Sequence, residues 1–553
     1  MNYKKTLLSI LFFFLFHNAA YSQLLKNFTS SFESNSAYYT DDSKTGDFNF
    51  DNRFRSNNYI NLKSYLNKNW NFELQIESYQ PSPLLNYSTN LKKTNISTFN
   101  VRYDNNNLNI QLGNFYEQFG SGMILRSWED KDLGINNSIR GLNLKYRINN
   151  TINFTTLLGN QKKGFKYSKG YIIGFNSEFD FSEIIKNDST FLFGLSYVGR
   201  SDNKNKSNLY DEITNLFSAR LDYSSSSFYS SFELINKSKN PIILFGSISD
   251  TFIKKGTALL FNSGFFKNGL GIDFTFRRLE NMSLYSERRA FGNPYNESIV
   301  NYLPSLTKQH DYSLTNLYVY AAQPNVSFQS KQLTKAGEIG MQTDIYYKIE
   351  KETLLGGKYG TNLAINASVW NNLDGNFDFN NQSYQTNLFG FGEKYFSELS
   401  LEIRKKWSSK FENIFLYANQ FYSKRLIEET QGIVKSNILV VENTYKINDK
   451  KSIKVDLQHL STDDDTKNWS ALGLELNLSS AVSIYVTDMY NYQNPEIEKR
   501  IHYYNFGGSY RKGASRYSIN YGRQRGGLVC TGGICRYVPE STGISFSAIT
   551  SFF

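Results

Sequence analysis

Apolar and polar residues alternate along almost the entire chain. Trp70, Phe72, Leu74 and Ile76 interleave with Asn71, Glu73, Gln75 and Glu77. Phe99, Val101 and Tyr103 lead into the polar turn Asp104-Asn105-Asn106-Asn107, after which Leu108, Ile110 and Leu112 resume the pattern. Phe217, Ala219, Leu221 and Tyr223 precede a Ser224–Ser227 turn. Leu270, Ile272, Phe274 and Phe276 follow Asn268-Gly269, the strongest short hairpin signal. Leu472, Leu474, Leu476 and Leu478 share one face, with Gly473, Glu475 and Asn477 on the other. A period of two predicts β-strands whose two faces meet different surroundings. Soluble sandwiches alternate too. Here, however, the strands continue without a domain break, and most run to about 10–12 residues, the length of a tilted membrane crossing. No linker or internal repeat interrupts them, so a single domain is expected from residue 23 to 553.

Connection lengths predict the closure. Short turns fall near residues 67, 105, 149, 225, 268, 408, 449, 480 and 513. Longer polar loops fall near 80–92, 161–168, 200–212, 237–253, 321–335, 371–393, 423–436, 460–468 and 525–540. In membrane barrels the short turns lie on the periplasmic side and the long loops outside. About 24 clear strands lie between residues 55 and 553, but their directions fail to alternate in two places. One extra crossing in 24–40, carried by Phe28 and Phe32, and one in 280–308 would repair both. The expectation is a single antiparallel transmembrane β-barrel of about 26 strands, within a range of 22–26.

Residues 1–22 read as a secretory signal peptide. Lys4 and Lys5 precede the apolar run Leu7 to Phe16, and Ala20-Tyr21-Ser22 offers a cleavage point. No later stretch is apolar for long enough to cross a membrane as a helix. The chain carries 40 Tyr and 44 Phe but only 8 Pro. That composition suits strands with an apolar outer face and a polar lumen. The formal charge is +11. Its Lys and Arg are scattered among acids and do not cluster on a helix, which argues against a nucleic-acid partner.

Cys530 and Cys535 are the only cysteines and lie in a Gly-rich loop. In an oxidising compartment a disulfide is the favoured reading, with two free thiols as the alternative. The flanking Arg523, Arg525 and Arg536 read either as an anion-binding rim or as a solvated loop face. The stretch Gly113–Asp130 packs Glu117, Arg126, Glu129 and Asp130 among Phe115, Tyr116, Phe119 and Trp128. It reads as a segment folded into the lumen or as an external loop. Residues 280–308, with Arg288, Arg289 and Tyr302, share that mixed character. Buried charges need partners, and Asp344 and Glu475 on polar strand faces are candidates. Asp456, His459 and Ser461 are close in sequence, yet alternation puts Asp456 and His459 on opposite faces, against a hydrolase triad. Asp463-Asp464-Asp465 reads as a cation site or a solvated acidic turn. The final strand ends on Phe552-Phe553, which fits the signal read by outer-membrane assembly machinery.

The chain resembles a Bacteroidetes family of large outer-membrane barrels of unknown function. The likeness rests on Gly113–Asp130 continuing through Leu133-Gly134-Ile135-Asn136-Asn137-Ser138, on Tyr302-Leu303-Pro304-Ser305-Leu306-Thr307-Lys308-Gln309-His310, on Leu355-Gly356-Gly357-Lys358-Tyr359-Gly360, and on the Cys loop ending Cys535-Arg536-Tyr537-Val538-Pro539. The resemblance implies a barrel in the outer membrane and carries over no substrate, active site or cofactor. The expected role is non-enzymatic, in export, assembly or organisation of surface components, accessory to that phylum's secretion system by association only. A porin-like diffusion channel is the alternative. Expected partners are outer-membrane lipid and lipopolysaccharide, the assembly machinery, and secreted or surface proteins. The lumen is expected to be partly filled.

Overall fold

The computed structural model describes residues 27–182, 189–202, 210–244, 247–288, 298–328 and 330–552. The expected signal peptide and Arg289 lie outside them. Twenty-four antiparallel strands form one closed barrel. Phe28–Thr40 opens it and Ser541–Phe552 closes it, paired from Ser30 opposite Phe552 to Thr40 opposite Thr542. Each of these two strands has its other neighbour too, so closure leaves no sheet edge. One short extra strand, Lys166–Tyr167, folds back on Ile152–Lys163.

The two faces obey the predicted alternation. Phe217, Leu158 and Leu457 are about half exposed, while Leu216, Leu157 and Ile235 are buried on the opposite face. The exposed set forms the apolar outer surface of a membrane-spanning barrel. Short turns gather at one end. Asn268 and Gly269 make the tightest, both with positive φ (50° and 80°), as the mirror-image hairpin turn requires. Long connections gather at the other end, chief among them 41–53, 79–93, 116–138, 281–336 and 525–540. The first and last strands begin and end at the short-turn end.

The strand count corrects the sequence reading in its detail. The extra crossing around Phe28 and Phe32 is present as Phe28–Thr40. No described residue of 280–308 forms a barrel strand. The missing reversal lies at 350–360, where the chain turns between Gly337–Ile349 and Thr361–Asp378. Two expected loops are mostly strand. Phe228–Leu244 with Ser247–Lys267, and Thr361–Asp378 with Ser383–Lys406, rise as tall hairpins on the loop side. Their polar, Asn-rich upper halves look like loops in sequence but pair with each other, Phe377 opposite Tyr384 and Asp378 opposite Ser383.

Candidate functional site: a filled lumen

Two long connections fold inward and meet inside the barrel. In the first, 116–138, the buried Phe119, Met123, Ile124 and Leu125 pack against wall residues Leu157, Val198, Leu216 and Ile235. Gly120 permits the close approach. Its φ is +55°, and a Cβ there would sit 2.5 Å from Arg220 Nη1 and 2.6 Å from Glu233 Oε1. In the second, 281–336, Leu284, Val300 and Leu303 join that same cluster. Further along, Tyr312, Leu314, Tyr318 and Tyr320 pack on a second patch of wall that includes Trp370, Leu416, Val440 and Leu460. Leu306 touches both clusters. The connection therefore spans from one side of the bore to the other, and its burial of apolar surface, worth about 25 cal/mol per Å², holds it there.

Polar contacts fix the register. Arg126 N–H donates to Val300 O (2.9 Å) and Tyr302 N–H to Gly122 O (2.9 Å), joining the two segments backbone to backbone. Asn301 Nδ2 donates to Met123 O (3.0 Å) and Met282 O (2.9 Å). The Arg126 guanidinium lies 3.9 Å from the Tyr302 ring and 5.2 Å from Trp128.

The residues singled out in sequence fall into three groups. Glu117, Arg126, Glu129 and Arg288 make contacts between inward segments or between segment and wall. Glu117 pairs with Lys145 at 2.8 Å and accepts from Asn143 at 2.7 Å, both on the strand Ile139–Arg147. Glu129 accepts from Gln75 (3.0 Å) and Asn136 (2.9 Å), and burial pushes its carboxyl above the ordinary range. Arg288 donates to Asp211 O (2.7 Å) and Asn240 (2.9 Å) and faces Asp202 at 3.5 Å. Asp130 acts locally, accepting from Leu133 N–H at 2.7 Å. Asp344 and Glu475 differ. Asp344 faces Lys308 of the inward connection at 3.7 Å. Glu475 accepts from Asn477 on its own strand, with no contact to either inward segment.

Cys530 and Cys535 are disulfide-bonded, opposite each other on the small hairpin Gly527–Thr531 and Ile534–Val538. The hairpin sits at the loop end and leans onto the inward connection. Ser305 N–H donates to Gly533 O (2.8 Å) and the Tyr302 hydroxyl to Gly532 O (2.8 Å). Arg536 reaches Asn86 O at 2.8 Å, and Arg523 pairs with Asp42 at 2.8 Å. Those two arginines are thus committed to separate partners and form no shared anion rim.

Beside His310–Ser313 a cavity of about 870 Å³ remains, lined by Asp344, Glu402, Arg404, Glu442, Lys454 and Asp456 among others. Its charges are largely paired with one another, as Lys454 with Glu442 at 3.1 Å and Arg404 with Glu402. Asp456 faces this cavity, whereas His459 lies on the outer face and bonds the Tyr492 hydroxyl at 2.8 Å. The acidic triplet is engaged by protein: Asp465 by Lys424 (2.7 Å) and Tyr318 (2.9 Å), Asp464 by the Lys435 N–H (2.9 Å).

Residues 2–552 match the family of unknown function DUF6029. The chain belongs to that family. No curated protein matches it. Among solved structures, the translocation pore of the P pilus usher PapC is similar over 95% of this chain and 99% of its own, at 9% identity and a TM-score of 0.41. The siderophore receptor PirA from Pseudomonas aeruginosa covers 95% of this chain and 80% of its own, at 9% identity and 0.38. The outer membrane protein OpdK from the same organism covers 78% and 96%, at 9% identity and 0.36.

Sequence reasoning missed most of what fills this DUF6029 barrel. His310, Tyr312, Tyr318 and Tyr320 carry the second wall contact, and none was singled out as a lumen residue. His310 Nε2 is 2.9 Å from Glu398 on the wall, and both are buried. The available signal was the loss of alternation between Asn281 and Ala336, with aromatic residues persisting across it.

Proposed function

We propose that the protein is an integral outer-membrane barrel, non-enzymatic, whose bore is closed at rest and which acts in export, assembly or organisation of surface components. The observation that carries this reading is the inward pair of segments. Each is anchored to the wall, and the two are bonded to each other at Arg126–Val300 and Gly122–Tyr302. A channel for free diffusion gains nothing from an apolar cluster built across its bore. A scaffold or gated conduit does, because the filling can be displaced when a partner engages it. The partners that suit this reading are lipid, lipopolysaccharide, the assembly machinery and exported surface proteins. The cavity of about 870 Å³ favours a second reading, a narrow route for small polar solutes past His310.

Planar-bilayer recording tests the proposal. Glu280 pairs with Gly337, so residues 282–335 can be replaced by a short Gly-Ser turn without breaking the barrel. The intact protein is expected to be silent at low voltage, and the shortened one to conduct in large steady steps. Large, weakly selective openings of the intact protein would overturn the closed-bore reading and establish the diffusion channel.

A further inference from the structure

The short-turn end carries a charge that the filled lumen does not use. Residues 405–412 and 446–451 hold six lysines and two acids, and 511–516 hold three basic residues and no acid. These stretches adjoin. Lys446 N–H donates to Lys410 O at 2.7 Å, and Lys405 Nζ to Leu355 O at 2.9 Å, which brings in the 350–360 turn. Lys410, Lys446, Lys450 and Lys451 are exposed. Among the described residues, no carboxylate lies within 4.0 Å of any of the six lysine ammoniums. The loop end behaves differently: there Asp465 meets Lys424, Asp41 meets Arg53, and Glu496 meets Lys499.

A second observation places this arc against lipid. Trp407, Tyr445, Tyr510 and Tyr517 lie within two residues of the same turns, and each is exposed. The Lys405 ammonium is 4.8 Å from the Trp407 ring. Amphipathic rings settle at the level of lipid headgroups, so lysines one or two residues beyond them stand at the phosphates. Leu354, 98% exposed at the tip of the 350–360 turn, adds an apolar side chain that water does not favour. The arc is convex and follows the outer wall. That shape suits a sheet of headgroups better than it suits a free anion or a folded acidic protein, either of which asks for a concave site.

We infer that the arc from Lys405 to Lys451, continued by Arg511, Lys512 and Arg516, is a binding collar for anionic phospholipid headgroups of the leaflet that faces the short turns. The inference rests on the reading of the chain as a membrane-embedded barrel. Bound anionic lipid would fix the depth and tilt of this side of the barrel, the side whose wall bears the cavity.

The test uses the full mature protein folded into vesicles of three parts phosphatidylcholine to one part phosphatidylglycerol. After gentle detergent extraction, co-purifying lipids are counted by native mass spectrometry. Wild type is expected to retain phosphatidylglycerol enriched about fivefold or more over its bulk share. In the Lys410→Gln/Lys446→Gln/Lys450→Gln/Lys451→Gln variant the ratio should return to that of the bulk. Arg511→Gln/Lys512→Gln/Arg516→Gln tests the neighbouring turn independently. A Lys44→Gln/Lys92→Gln/Lys93→Gln variant at the loop end should keep the enrichment. Heat-modifiable migration on gels reports separately whether each protein is a closed barrel, so loss of the barrel reading is not confused with loss of the collar. Equal retention of both lipids, unchanged enrichment in both short-turn variants, or full displacement by inorganic phosphate at matched ionic strength would each overturn the collar.

Discussion

Arg277 and Glu338 form a buried ion pair across the neck of the inward connection, one residue on each of the strands that flank it. Arg277 Nε donates to Glu338 Oε1 at 3.1 Å, and the two side chains are 1% and 0% exposed. Each also holds the connection itself. Arg277 Nη1 donates to Pro304 O at 2.6 Å, while Glu338 accepts from the Tyr320 hydroxyl (2.5 Å) and the Gln323 N–H (2.6 Å). The Arg277 guanidinium lies 5.3 Å from the Trp370 ring, which joins this neck to the second wall cluster.

Glu338→Ala leaves Arg277 buried without its partner, at a cost of about 3–5 kcal/mol. The barrel wall is held by its own ladders, so the loss should fall on the inward connection. Limited proteolysis is expected to cut 281–336 in this variant and spare it in wild type, with bilayer openings appearing in parallel. Arg277→Met/Glu338→Met removes both charges and should be milder than either single change. A single variant that resists protease like wild type would show that the pair does not hold the connection.

The Cys hairpin is latched at one glycine. Gly533 has a φ of +79°, and a Cβ there would lie 2.6 Å from Ser305 O and 2.8 Å from Pro304 Cβ. Gly533→Ala is expected to lift the hairpin from the connection at a cost of about 1–3 kcal/mol. Hydrogen exchange should then rise at Ser305 and in 525–540, while the Cys530–Cys535 bond stays intact by mass spectrometry. Protection at Ser305 identical to wild type would show that this contact is not a latch.

The wall was legible because lipid on one side and a polar interior on the other force a period of two on every strand. Asn268-Gly269 marked its turn for a local reason, the positive φ that both residues tolerate. The count drifted where that logic lapses. The 350–360 turn is long and rich in Gly and Lys, and it reads as a loop on the wrong side. The tall hairpins stand clear of the apolar constraint, so their strands lose the apolar face. Glu117 and Arg126 stood out because charges and aromatics crowd one glycine-bearing stretch. Alternation pointed Asp344 and Glu475 inward alike, yet only Asp344 lies opposite the connection. Which inward residue meets a segment depends on the path across the bore, and no local pattern encodes that path.

Glu129 gives a pH signature. Burial raises its carboxyl above the ordinary range, so the folded state favours the neutral form. Its contribution is best at acid pH and is lost as pH rises from the ordinary carboxylate value through the raised one. Both hydrogen bonds, from Gln75 and Asn136, land on Oε1, which glutamine retains. Glu129→Gln should therefore stabilise the 116–138 segment at neutral pH and flatten this dependence. Protease resistance of that segment measured from pH 4 to 8 checks both; a variant less resistant at neutral pH would contradict the argument.

The seam between the first and last strands offers the opposite sign. Asp42, just past the first strand, takes a two-pronged contact from Arg523 at 2.8–2.9 Å and a hydrogen bond from Thr542 at 2.9 Å. Burial alone would raise its carboxyl. The Lys44 N–H, Arg523 and Thr542 outweigh that and hold it below the ordinary range. A lowered carboxylate stabilises the fold above its unfolded value, and that contribution is lost as pH falls through the lowered one. Asp42→Asn keeps the shape but removes the charge opposite Arg523, and should cost about 1–3 kcal/mol at neutral pH. The expected result is a lower temperature for the heat-induced gel shift at pH 7, with the gap to wild type closing in strong acid. Cross-strand cysteines at Ser34 and Ala548, which face each other in the seam, should then exchange label faster in the variant once warmed. A gel shift unchanged at neutral pH would mean that the strand ladder alone closes the barrel.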